Sequence, residues 1–223
     1  MPGRPKSVYL WDVMTVPAIL LDALLETINL GIGQAAGLLN RLVKSHVQLS
    51  VPSLAIYSEK QLRDSLTDID ILSLSAVELS YRGFITGQAT LLFHKEGADA
   101  LAELLLGDDV PPTDPDLFKI GILQEAGNIV LNGVLGAISN FFGASLDYLP
   151  PIYEEGDFNS LILSKAKDIG ASFIMARTHF MAEQTTIEGD IVLILDASEI
   201  ETMLRLLELV MEKNLPAGEA LKP

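Results

Sequence analysis

Residues 125–133 read EAGNIVLNG, and residues 26–34 read ETINLGIGQ. Each stretch places a glutamate and an asparagine three apart among small and apolar neighbours: Glu26 with Asn29, and Glu125 with Asn128. On a helix, side chains at this spacing lie along one stripe. Asp22 extends the first stripe backwards by one turn, and Asn132 extends the second forwards by one turn. Each asparagine is followed 23 positions later by a proline, Asn29 by Pro52 and Asn128 by Pro151. With 15 Glu and 7 Asn in 223 residues, chance supplies roughly 0.5 Glu-x-x-Asn matches; two with the matched proline fall on the order of a few in ten thousand.

The elements around the two stretches repeat as well. Apolar residues recur at helical spacing over 17–42, with Pro17 suited to the first turn. Residues 46–51 alternate as a strand does, and a polar segment, 57–68, follows. Strands are expected at 71–81 and 87–93, and a helix at 95–106 ends before Gly107. The segment 107–116, GDDVPPTDPD, reads as a linker. In the second half the pattern gives a helix from Asp114-Pro115 to about Phe142 and a strand at 145–149. A hairpin follows over 171–185 and 191–195, with its turn at Glu188-Gly189-Asp190, and then a last helix capped by Ser198. The shared order implies an internal duplication of about 100 residues per copy. The fold class expected is α+β: pseudo-twofold, with one shared antiparallel-rich sheet and long helices packed on it. The domain reading is an N-terminal extension, 1–16, a single domain of two repeats, 17–107 and 114–214, and a tail, 215–223.

Composition narrows the function. Fifteen basic against 30 acidic residues give a net charge of −15, which repels nucleic acid and anionic membrane surfaces. The absence of cysteine excludes thiol catalysis, disulfides and zinc–thiolate sites. No signal peptide and no uninterrupted membrane-length apolar run is read, so a cytoplasmic protein is expected. His46, His94 and His179 have no metal-ligand spacing, and the linker aspartates lack calcium-loop register. The glycines of NLGIGQAAG sit within a helix pattern, where close helix packing explains them better than a dinucleotide loop. Trp11 reads as a packing anchor.

The chain resembles the CheC family of chemotaxis phosphatases, with the related CheX and FliY proteins. The family pattern is Asp/Ser-x-x-x-Glu-x-x-Asn, then 22 residues, then Pro. DALLETIN followed by Pro52 matches in full; GILQEAGN followed by Pro151 matches except at Gly121. The resemblance implies hydrolysis of the aspartyl phosphate of a CheY-type response regulator. Glu26, Asn29, Glu125 and Asn128 would then be catalytic, and Asp22, Pro52 and Pro151 supporting. An acyl phosphate is already reactive, so a carboxamide need only hold a water in line with phosphorus. The glutamate would pair with a cation on the partner and fix the docked register. The partner would supply the aspartate, Mg²⁺ and a lysine, leaving this chain with no cofactor or metal of its own; CheD is a further possible partner. A non-catalytic binding module of the same fold, in a flagellar switch or as a CheD or response-regulator adaptor, is the alternative. Of the two sites the second is expected to be the stronger, because Gly127 leaves Asn128 uncrowded whereas Ile28 adjoins Asn29.

Overall fold

The computed structural model describes residues 16–42, 47–65, 73–106, 114–166, 171–182 and 185–214. The long helices fall where periodicity puts them: α1 is Ala18–Leu42 and α4 is Pro115–Phe142. Asp114 caps α4 by accepting from the Leu117 N–H, and Pro115 occupies the first turn, where its missing N–H costs nothing. Gly143, at φ 62°, ends α4 in the left-handed conformation that glycine adopts without strain.

The strands are β1 (Val47–Ser58), β2 (Leu74–Gly83), β3 (Gly87–His94), β4 (Leu146–Tyr148), β5 (Ile152–Gly156), β6 (Ala171–Ala182) and β7 (Thr185–Asp196). They form one antiparallel sheet in the order β1-β6-β7-β3-β2-β4, with β5 also paired to β2. The order is palindromic about the β7–β3 pair. Each half gives its first strand to the other: β1 pairs with β6, and β4 and β5 pair with β2. Neither half therefore completes its own part of the sheet.

One face of the sheet is covered by α1, α4, α3 (Lys95–Leu106) and α6 (Ala197–Asn214), burying the larger core of Leu24, Ile28, Leu91, Val130, Leu193, Met203 and their neighbours. On the other face α2 (Glu59–Ser65), α5 (Phe158–Leu161) and the 3-10 turn Leu163–Ala166 close a smaller core around Leu62, Ile162 and Phe173. The helices α1 and α4 touch backbone to backbone. A Cβ added to Gly31 would lie 2.3 Å from the Gly133 carbonyl oxygen, so close helix packing is the role of that glycine in NLGIGQAAG. By length and composition Ala18–Arg41 could cross a membrane, although Asp22, Glu26 and Asn29 interrupt its apolar run. Here Leu20, Leu24, Ile28, Ile32 and Leu39 are buried in the core instead.

Three local readings are corrected. The β6–β7 turn is not at Glu188-Gly189-Asp190, which lies inside β7; Gly189 pairs with Thr178 and Phe93, and a Cβ there would lie 2.7 Å from the Phe93 ring. Glycine is thus needed for close approach within the strand, not for a turn. Ser198 lies inside α6, and the Asp196 carboxylate does the capping, accepting from the Ser198 N–H (2.8 Å) and hydroxyl (2.6 Å). The first strand does not stop at residue 51 but runs on to Ser58, with Pro52 inside it at a bulge between Ser50 and Ser53. Trp11, His46 and most of the linker, 107–113, fall outside the described residues.

Candidate functional site

Both stripes face outward from the helices that cover the main core. Asp22 and Glu26 are exposed and Asn29 is half-buried on α1; Glu125 is exposed and Asn128 and Asn132 are half-buried on α4. The apolar positions between them explain why: Leu24 and Ile28, and Leu123 and Ala126, point into the core and turn the polar stripe away from it. Ile28 is fully buried and does not crowd Asn29. Gly127 is also buried, and a Cβ on it would lie 2.5 Å from the Val77 Cβ. The glycine therefore seats α4 on β2. It does not open a path to Asn128.

The two asparagines differ in what they hold. Asn29 Nδ2 donates to the Val51 carbonyl (2.9 Å) and to the Leu25 carbonyl (3.1 Å), and the Val51 N–H donates to Asn29 Oδ1 (2.9 Å). Both N–H donors and one oxygen lone pair are committed. Val51 belongs to the bulge of β1, an edge strand, and Pro52 beside it has no N–H to offer. Three turns along α1, Asn40 repeats the clamp. Its Nδ2 donates to the Val47 carbonyl (2.9 Å), and the Val47 N–H donates to its Oδ1 (2.6 Å). Two carboxamides thus stand in for a missing strand along an edge that would otherwise expose backbone donors and acceptors.

On α4 the backbone tie is made by a different residue. Gln124 Nε2 donates to the Pro151 carbonyl (2.5 Å), holding the β4–β5 segment against the helix. Asn128 is left free of the sheet. Its Oδ1 accepts from Asn132 Nδ2 (2.7 Å), and its own Nδ2 has no partner among the described residues. Glu26 and Glu125 have no ion-pair partner among them either. Exposed Leu149 and Ile152 flank the segment that Gln124 holds.

Asn40, Gln124 and Asn132 were not singled out as functional from sequence, yet each carried a signal. Gln124, Asn128 and Asn132 run at i, i+4 and i+8 along one face, and Asn40 lies eleven residues after Asn29, three helical turns on. Gly121, where the family pattern has Asp or Ser, is exposed with open space around it.

A cavity of about 610 Å³ lies at the ends of β2, β3 and β7, lined by Ser80, Arg82, Gln88, Lys165 and Asp196 among others, and no residue of either stripe lines it. Among the described residues no group of three His, Asp or Glu side chains is placed to hold a metal ion. An outward amide and carboxylate on a helix surface suit contact with another macromolecule better than enclosure of a small one.

No protein-family model matches the chain. In sequence it is 27% identical over 135 residues to the flagellar motor switch phosphatase FliY of Bacillus subtilis (strain 168), a match covering 60% of this chain. That match spans only 35%, about a third, of the relative's length. In structure it is similar to Thermotoga maritima FliY, with a TM-score of 0.68 at 18% identity over 87% of this chain and 98% of that one. The FliM middle domain from H. pylori gives a TM-score of 0.60 at 14% identity over 86% and 99%. The seven-stranded antiparallel sheet with its long helices is the fold that the chain shares with FliY and the FliM middle domain, and its sequence resembles that of FliY.

Proposed function

We propose that the chain is a phosphatase that removes the phosphoryl group from the aspartyl phosphate of a CheY-type response regulator, and that the stripe on α4 is its working site. The observation that carries this reading is the state of Asn128: outward, half-buried, with an amide nitrogen that nothing in the described structure engages. Such an amide can hold a water in line with phosphorus without placing negative charge beside the phosphoryl oxygens. Glu125, exposed and unpaired one turn away, is available to a cation on the partner, and Leu149 and Ile152 offer apolar contact beside it. The partner brings its own aspartate, Mg²⁺ and lysine, so the chain needs no metal ligands. Its place of action would be the cytoplasm or the flagellar motor, and CheD would be a second partner.

Asn29 has a different role in this reading. It holds the edge of β1 while Glu26 and Asp22 add outward carboxylates for docking. That commitment favours a second reading, a binding module without catalysis, which the likeness to the FliM middle domain also supports at the level of fold. Phosphate release from a phosphorylated CheY-type regulator in Mg²⁺, with and without this chain, separates the two. Faster release supports the phosphatase; binding with unchanged decay leaves the module.

A further inference from the structure

The geometry points to Asn132 as a positioning residue that fixes the amide of Asn128 with its nitrogen turned outward. This rests on the phosphatase reading of α4. Asn132 sits one turn after Asn128 and donates its Nδ2 hydrogen to Asn128 Oδ1 at 2.7 Å. Its own Oδ1 is out of contact with solvent and has no partner among the described residues. Its helical neighbours Val130, Leu131, Val134 and Leu135 are all buried at 0% exposure. Asparagine is a weak helix former, and a buried acceptor without a donor is a cost to the fold. Alanine or leucine would serve the helix better at this position, so Asn132 has no evident value to stability.

The bond to Asn128 gives it one. A free asparagine side chain turns its carboxamide readily, presenting oxygen or nitrogen by turns. With Oδ1 held back along the helix, Asn128 presents its N–H groups in one direction, and a bound water meets a fixed donor. In the first half the matching position, 99 residues earlier, is Gly33, which has no side chain to offer, and Asn29 is held by strand backbone instead. The two halves therefore orient their amides by different means, and only the α4 arrangement leaves the nitrogen free.

The test compares Asn132→Ala and the isosteric Asn132→Asp with the wild-type chain, measuring phosphate release over a range of phosphorylated regulator concentrations and unfolding in urea. Ionised aspartate cannot donate, so both variants lose the orienting bond. Both are expected to lower kcat about tenfold, the scale of one hydrogen bond, with KM unchanged. Asn132→Ala is expected to be as stable as the wild type or more so, because it removes a buried polar group and improves helix propensity. A kcat equal to wild type in Asn132→Ala overturns the role. So does a fall in kcat matched by a fall in stability, which would mark Asn132 as structural. A wild-type chain that leaves decay unchanged overturns the phosphatase reading itself. Side-chain amide exchange by NMR then reads the bond alone: Asn132 protected and Asn128 fast supports the geometry, and the reverse contradicts it.

Discussion

At Asn29 the carboxamide commits both N–H donors and one lone pair to backbone; at Asn128 the nitrogen is free. The consequence is a division of effects between stability and turnover. Asn29→Ala strips the Val51 N–H and carbonyl of their partner at a position only 2% exposed. It is expected to cost about 1–3 kcal/mol, the range for orphaned buried backbone groups, read as a lower urea midpoint with unchanged slope. Asn128→Ala removes no bond to the sheet and should leave the midpoint nearly unmoved. The outward stripes were legible in the sequence, because the apolar positions flanking each pair fix which way they face. The different bonding was not: Val51 lies 22 residues from Asn29, and the bulge that turns its backbone toward the helix leaves no periodic trace. The expectation that Gly127 leaves Asn128 uncrowded gave that glycine the wrong role, since its missing Cβ accommodates Val77.

Among elements, α4 is held to the sheet at that glycine. Gly127→Ala drives a Cβ into the Val77 side chain, which is anchored on a central part of β2, and the helix must lift. Overpacking of this kind is expected to cost about 1–3 kcal/mol, and phosphate release should fall with it because Glu125 and Asn128 ride on the same turn. A fully active Gly127→Ala would mean that the site does not depend on how α4 is seated.

The smaller face has its own fastening. Lys165, on the 3-10 turn, binds the buried Glu78 of β2 and Glu154 of β5 (2.6 Å). Burial alone would lower the Lys165 ammonium, but its hydrogen bonds to Glu154 and Glu78 and their charges outweigh burial and raise it above the ordinary 10.5. A raised folded value means that the stabilisation is complete below the unfolded value, about pH 10, and is lost as pH climbs through the folded one. Lys165→Met should cost about 1–3 kcal/mol at neutral pH, less than for a fully enclosed pair because the ammonium keeps some water, and should flatten the alkaline limb of a stability–pH curve. An unchanged limb would show that the cluster contributes nothing. Short elements on this face escaped sequence reading. The seven residues of α2 bury only Leu62, too little for a period, and α5 is a single turn marked by the Asp157–Ser160 capping box.

Across the whole molecule, the exchange of first strands makes the halves interdependent, and the sheet serves as a platform on which α1 and α4 present their stripes. The sheet was the most legible feature: a recurring element order with strands to share led to the expectation of a single antiparallel-rich sheet with helices on it, and the seven strands form one sheet. A partner must approach a chain of net charge −15. A phosphorylated acidic pocket would be repelled at long range, so specific cations facing Glu125 must hold the encounter at short range. The core of the proposed function is a division of roles in which the α4 stripe removes phosphate and the α1 stripe chiefly supports the fold. It is tested by phosphate release from one phosphorylated CheY-type regulator in Mg²⁺, with wild-type, Asn29→Ala and Asn128→Ala chains at equal folded concentration. Acceleration by the wild type is expected, most of it retained in Asn29→Ala, with a loss of about a hundredfold or more in Asn128→Ala, the scale of one removed transition-state donor. Equal losses in the two variants, or a larger loss in Asn29→Ala, would contradict it.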